Sequence, residues 1–314
     1  MKRRALLAWP LAAACKRGVK KRVAVIPKSV AHIFWLSVEA GARAAGKEAG
    51  VEILWNGPAL ESDFPRQIQI VDSMVAQRVD GIAIAAAERQ ALTAAIERAG
   101  DAGIPVVIFD SGADTEKYLS FISTDNVKAG RLGARKMGEL LGGKGKVAMI
   151  LHAPGSFSTM DREKGFKQVR DAEFPGLEVV VEQFALGDQA KARSIVENAL
   201  SAHAGLRGVF CSTEPAATGA MLALEARGMA GKVKVVTVDS SENLIEQMKQ
   251  DKVHALVAQD PFGMGHRAVM SIVSKLNGSI PPRRVEMEPR VITKEDLDNP
   301  EVMRLLKPDI AKYR

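Results

Sequence analysis

Nine short apolar runs, most followed by a stretch with helical spacing, constrain this chain more than any other feature. They fall at 22–27, 51–55, 81–86, 106–110, 147–151, 179–183, 208–212, 233–239 and 255–259, and are rich in Val and Ile. They do not alternate apolar with polar residues, which is the pattern of strands buried on both faces, as in parallel sheets. Between them, segments such as 34–49 and 64–79 place apolar residues three or four apart: Leu36, Val38, Ala42 and Ala45 in one, Ile68, Val71, Met74 and Val75 in the other. The alternation continues through 91–102, 126–141, 162–172, 188–202 and 215–226. Repeated βα units of this size predict an α/β fold with parallel sheets flanked by helices and right-handed crossovers.

At 314 residues the series is too long for one compact sheet. The pattern changes near Ser123-Thr124-Asp125-Asn126, and βα units restart at Lys146, so two similar lobes are expected. Ligands on such sheets bind beyond the carboxyl ends of the strands. Six of those ends are polar or irregular here: Pro27-Lys28-Ser29, Ala87-Glu88-Arg89, Asp110-Ser111-Gly112, Ser212-Thr213-Glu214, Asp239-Ser240-Ser241 and Gln259-Asp260-Pro261. Their convergence on one cleft is the main functional signal.

The N-terminus reads as an export signal. Lys2, Arg3 and Arg4 precede an apolar stretch over 5–14, and Ala12, Ala13 and Ala14 lead into Cys15. Ending on a cysteine resembles the bacterial lipobox, which implies lipidation at Cys15. Ala12 stands where the lipobox usually has Leu, and Trp9-Pro10 interrupts the apolar stretch, so an ordinary secretion signal stays open. No stretch reaches the ~20 apolar residues of a spanning helix. The net charge of +7 is dispersed apart from short basic stretches before residue 23, and no zinc-finger or RNA-binding signature accompanies it, so nucleic acid is not an expected partner. Cys15 and Cys211 are too few and too far apart for a disulfide framework; Cys211 reads as a buried strand end.

Catalytic signatures are missing. No G-x-S-x-G elbow, Walker loop or G-x-G-x-x-G follows a strand. Gly142-Gly143-Lys144-Gly145-Lys146 precedes a strand instead of following one and reads as a helix-ending turn. The five histidines show no metal-ligand spacing, so neither metal nor cofactor is expected. Asp110 and Asp239 could pair as acid and base, but carboxylates on separate lobes more readily accept hydrogen bonds from hydroxyls.

From about Lys21 onward the chain resembles the ribose-binding-like periplasmic binding proteins, the sugar receptors of ABC transporters. The resemblance rests on the order and spacing of several segments: Val23-Ala24-Val25-Ile26-Pro27-Lys28-Ser29 with His32, Phe34, Trp35 and Gly41-Ala42; Ile104-Pro105-Val106-Val107-Ile108-Phe109-Asp110; Ser123-Thr124-Asp125-Asn126; Arg162-Glu163-Lys164-Gly165-Phe166; Val209-Phe210 with Gly219-Ala220; Val238-Asp239; and Val257-Ala258-Gln259-Asp260-Pro261. It implies two Rossmann-like lobes with three hinge crossings, near 124–126, 259–261 and 287–289. The expected division is a signal and linker over 1–20, a first lobe of 21–124 with 260–287, and a second of 125–259 with 288–314.

The resemblance also implies a ligand site. Phe34 and Trp35 would sandwich a sugar ring, beside Lys28 and His32. An aromatic packs well on the apolar face of a sugar while the rim hydroxyls need donors and acceptors. A plainer reading leaves both rings in the core of their helix. Asp110 would accept from two hydroxyls, and Arg162 would donate in a fork to vicinal oxygens. Asp239 and Gln259 match positions that bind from the second lobe and the hinge, although Asp239 could merely cap a helix at 241–250. Thr213 stands where the family usually has Asn, Lys28 where ribose receptors have a small polar residue, and Ala85-Ala86-Ala87 replaces a more polar run. The implied ligand is therefore a sugar other than ribose in the ribose pose. With Lys28 and Arg162 balanced by Asp110 and Asp239, a neutral sugar is expected.

The resulting expectation is a monomeric, exported solute-binding protein that delivers a sugar to membrane permease subunits and touches the membrane only through its anchor. The ligand-sensing core of a sugar-responsive transcription repressor shares this fold, but a signal-like segment stands where its DNA-binding domain would be. An enzyme of the same layered class lacks any nucleophile or metal set here.

Overall fold

The computed structural model describes residues 20–313; the signal segment, with Cys15, lies outside the described residues. In chain order the strands are β1 (Arg22–Ile26), β2 (Glu52–Trp55), β3 (Gly81–Ile84), β4 (Val106–Phe109), β5 (Ser120–Thr124), β6 (Lys144–Leu151), β7 (Gly176–Phe184), β8 (Leu206–Cys211), β9 (Lys234–Val238), β10 (Ala255–Ala258), β11 (Arg284–Met287) and β12 (Arg290–Ile292). The helices are α1 (Ile33–Ala49), α2 (Phe64–Ala76), α3 (Thr93–Asp101), α4 (Asn126–Leu141), α5 (Phe157–Glu173), α6 (Gln189–Ala202), α7 (Glu214–Ala226), α8 (Glu242–Lys249), α9 (Pro261–Leu276) and α10 (Pro300–Leu306).

Two sheets of six strands result, in the orders β11-β5-β4-β3-β1-β2 and β12-β10-β9-β8-β6-β7. The first is parallel throughout; in the second only β12 runs antiparallel, against β10. The two orders superimpose, with β1 matching β6 and β4 matching β9. This is the expected pair of Rossmann-like lobes.

Consecutive residues of the central strands feed opposite apolar layers. Ala24 and Ile26 pack with α2 and α3, whereas Val23 and Val25 pack with α1 and α9. The second lobe repeats this, with Ala148 and Ile150 on one side and Val147, Met149 and Leu151 on the other. Such strands have no polar face to show, hence their continuous apolar runs. The edge strands depart from that pattern. Glu52 of β2 is exposed, and β7 buries Leu177 and Val181 while exposing Glu178 and Glu182. An edge strand has only one neighbour and is partly solvated, which admits polar residues.

Each lobe binds a pair of helices by close backbone approach. A Cβ at Gly41 of α1 would overlap the Phe262 carbonyl of α9, and one at Gly130 of α4 would overlap the Arg162 carbonyl of α5. Glycine is required there because nothing larger fits. Gly142, at φ 65°, closes α4 as its left-handed C-cap, but only Gly142 and Gly143 form the expected turn, since Lys144, Gly145 and Lys146 already belong to β6.

Up to β12 the chain changes lobe three times, between β5 and α4, between β10 and α9, and between β11 and β12. At the first two crossings an aspartate starts the next helix. Asp125 accepts from the Lys128 amide at 2.9 Å, and Asp260 from the Gly263 amide at 2.7 Å. The C-terminal stretch does not stay wholly in the second lobe. Val302 and Leu306 of α10 are buried there, but the turn at 311–313 returns to the first lobe, where the Tyr313 ring stacks 5.6 Å from that of Phe262. Among the described residues no helix is long and apolar enough to cross a membrane.

Candidate functional site

The strand ends of both sheets face one another across a cavity, the place where ligands of such sheets bind. Lys28, His32, Phe34, Trp35 and Asp110 line it from the first lobe, Arg162, Thr213 and Asp239 from the second, and Gln259 from the hinge. All nine residues singled out in the sequence are therefore brought together. Glu61, His152, Ser158, Thr159, Glu214 and Pro215 line it as well.

The first-lobe wall is built on β1, β4 and the start of α1. Trp35 is only 3% exposed and joins the core beneath α1. Its ring meets Phe34 edge-on at 4.9 Å and Phe109 at 6.4 Å. The two readings of Trp35, core residue and cavity wall, thus both describe it. Its indole N–H donates to Glu61 Oε1 at 2.8 Å. Lys28, at the end of β1, is buried although charged. Its Nζ lies 3.6 Å from Asp110 and donates across the cleft to Ser156 Oγ at 3.0 Å and Ser158 Oγ at 3.2 Å.

The second-lobe wall is a linked polar set. Arg162, on the first half of α5, donates from Nε to Asn126 Oδ1 at 2.8 Å and from Nη1 to the Ser212 carbonyl at 2.9 Å. Nη1 also lies 3.5 Å from Asp239 Oδ2. Gln259 Nε2 donates to Asp239 Oδ1 at 2.6 Å, and its Oε1 accepts from Thr124 Oγ1 at 2.6 Å, so one amide spans the hinge to the second lobe. Asp239 does not cap the following helix. Ser241 does so, accepting from the Leu244 amide. Burial raises the Asp239 carboxyl above its ordinary range, against the pull of Arg162 and Gln259. Thr213 Oγ1 is buried with no hydrogen-bond partner in the protein, which leaves it available to a bound group.

Glu61 and His152 were not among the sequence candidates. Glu61 Oε2 lies 3.0 Å from His152 Nε2, across the cleft. Burial works to raise the Glu61 carboxyl, but His152, Lys28 and the Trp35 indole together hold it well below the usual carboxylate range. His152 directly follows β6, so reading every strand end by the same rule would have named it. Glu61 sits several residues past β2, and no spacing announces it.

The comparisons with known proteins agree with this geometry. Residues 23–280 match the model of a family described as periplasmic binding protein domain. The ribose import binding protein of Bacillus subtilis is 30% identical over 246 residues, 78% of each chain. Among solved structures, an ABC transporter solute-binding protein from Agrobacterium vitis with bound D-fucose has a TM-score of 0.88 and 33% identity, covering 91% of this chain and 100% of its own. A carbohydrate transporter solute-binding protein from Agrobacterium radiobacter in complex with D-arabinose has a TM-score of 0.89 and 30% identity, covering 92% and 99%.

Proposed function

The chain belongs to the periplasmic binding protein family, and on that footing we propose that it captures a small neutral sugar between its lobes for delivery to the permease of an ABC importer. One observation carries the reading. Aromatic rings and both signs of charge, drawn from two lobes and a hinge, surround one cavity.

In this reading Trp35 and Phe34 pack on the apolar face of the sugar. Asp110 and Asp239 accept from its hydroxyls, and Arg162, Thr213, Gln259 and His32 supply further polar contacts. Closing the lobes around the sugar turns occupancy into a shape that a permease can recognise. Binding and release without bond chemistry suffice for that role, so we assign no catalysis. The protein acts as a monomer in the periplasm or cell envelope, held to the membrane through lipidated Cys15.

Thermal unfolding against D-ribose, D-allose, D-arabinose, D-fucose and D-tagatose tests the sugar. A ligand present at ~100 Kd stabilises by about 2.7 kcal/mol. No shift with any neutral pentose or hexose would sink the reading. The anchor is tested by Cys15→Ala, which should release the protein from the membrane fraction of a native-like host.

A further inference from the structure

We propose that Glu61 is a positioning residue for ligand capture: one carboxylate sets the indole of Trp35 within the first lobe and takes His152 from the second lobe when the cleft closes. The inference rests on the reading of the cavity as the ligand site, and it concerns the loop after β2, which the sequence did not mark.

The two oxygens of Glu61 have different tasks. Oε1 accepts from Trp35 Nε1 at 2.8 Å, a bond within one lobe that survives opening. Oε2 faces His152 Nε2 at 3.0 Å, a contact between lobes that opening breaks. A carboxylate taken from water is costly unless charged or N–H partners surround it. Trp35 and Lys28 are first-lobe partners that stay with Glu61 in either state, and His152 is the partner that only closure adds. With the lobes apart, water replaces His152 at no comparable cost. The pair therefore favours closure without penalising the open form.

His152 is suited to the other half of the latch. Its amide donates to Glu163 Oε1 at 3.1 Å and its carbonyl accepts from the Leu186 amide at 2.7 Å, which fixes the backbone at the end of β6. Its Nδ1 is buried without a partner, so Glu61 is the hydrogen-bond partner that orients the ring. The same carboxylate thus holds a wall of the cavity and reports that the opposite lobe has arrived.

The test uses the full chain, with Glu61→Gln, Glu61→Ala, His152→Gln and the Glu61→Ala/His152→Gln double variant. Without sugar, the Trp35 indole N–H resonance, assigned with Trp35→Phe, should move in Glu61→Ala. It should stay near its place in Glu61→Gln, which keeps a carbonyl acceptor, and in His152→Gln. With the sugar of the D-ribose, D-allose, D-arabinose, D-fucose and D-tagatose panel that binds, stopped-flow should show dissociation about tenfold faster in each single variant, with association little changed. The double variant should be no worse than the poorer single one, because the partners act as a unit. An unmoved indole resonance in Glu61→Ala overturns the proposal whatever the panel shows. So do unchanged dissociation rates, or losses that multiply in the double variant. A panel that fails to bind the unmodified protein overturns the sugar reading instead, and the indole resonance then decides the proposal.

Discussion

Asp110 and Asp239 hold equivalent places in the two lobes. Each directly follows the matching strand, β4 or β9, and each has left-handed backbone, at φ 56° and 72°. Aspartate tolerates that conformation better than most residues, because its short side chain can bond locally. The turn aims both carboxylates into the cavity from opposite sides, Asp110 beside Lys28 and Asp239 beside Arg162.

Asparagine is therefore the informative replacement, since it keeps the backbone preference and removes the charge. Asp110→Asn and Asp239→Asn should each weaken sugar binding by about 1.5–3 kcal/mol, the usual cost of a lost charged hydrogen bond. The melting temperature without ligand should change little. Calorimetry checks both, and an affinity within twofold of the parent in either variant would remove that aspartate from the site.

Trp35 calls for a different design. At 3% exposure, with Phe34 and Phe109 against it, Trp35→Ala should cost about 3–5 kcal/mol of stability as well as binding. Trp35→Phe retains most of the apolar contact and loses the bond to Glu61. It should unfold within a few degrees of the parent yet bind sugar measurably more weakly; unaltered affinity would confine Trp35 to the core.

A third outcome concerns acid. His254 lies in the second lobe away from the cavity, where Nδ1 accepts from the Val235 amide at 3.2 Å and Lys234 Nζ sits 3.0 Å from Nε2. Burial first, and the Lys234 charge second, lower its pKa from 6.5 to about 4. Between those values the unfolded chain binds more protons than the folded one, so stability falls as pH drops from 6.5 toward 4. The ring is only partly buried, and solvent tempers the effect. His254→Gln should flatten this part of the stability profile in urea titrations. An identical slope in parent and variant would assign the acid sensitivity elsewhere.

The parts of the molecule that could be read from sequence are those where one physical demand dominates. A strand buried on both faces needs an unbroken apolar run, which is why β1, β3, β4, β8 and β9 stood out. β5, Ser120–Thr124, did not, because Ser120, Ser123 and Thr124 are polar yet buried. Ser120 donates to the Pro282 carbonyl and Thr124 to Gln259, partners supplied by remote chain. The site followed the same division. Residues at strand ends were legible, whereas Glu61 owes its role to Trp35 within its own lobe and to His152 on the other. A long-range pairing of that kind leaves no periodicity behind.

The sign of the ligand's charge is the sharpest remaining test. The cleft residues singled out in the sequence carry two cations against two anions, Lys28 and Arg162 against Asp110 and Asp239. The cavity wall adds Glu61 and Glu214, so Lys28 and Arg162 face four carboxylates, one of them, Glu61, held by His152. Lys28, the cation best placed to select an acid, is already engaged. Two of its three N–H groups go to Ser156 and Ser158, and Asp110 stands 3.6 Å away. A sugar carboxylate entering here would lose its water, meet four carboxylates already in the wall, and compete with Asp110 for the one Lys28 N–H that the serines leave. Neutral hexoses or pentoses should therefore bind at least about tenfold more tightly than the matching uronic acids or sugar phosphates, a difference of about 1.4 kcal/mol. Lys28→Met should weaken the neutral sugars too, because it removes an interlobe bond and leaves Asp110 without its counter-charge. Titration calorimetry of matched neutral and acidic pairs reads both effects. A preference for the acidic members that disappears in Lys28→Met would reverse the assignment, making Lys28 the ligand's own partner instead of a bridge between the lobes.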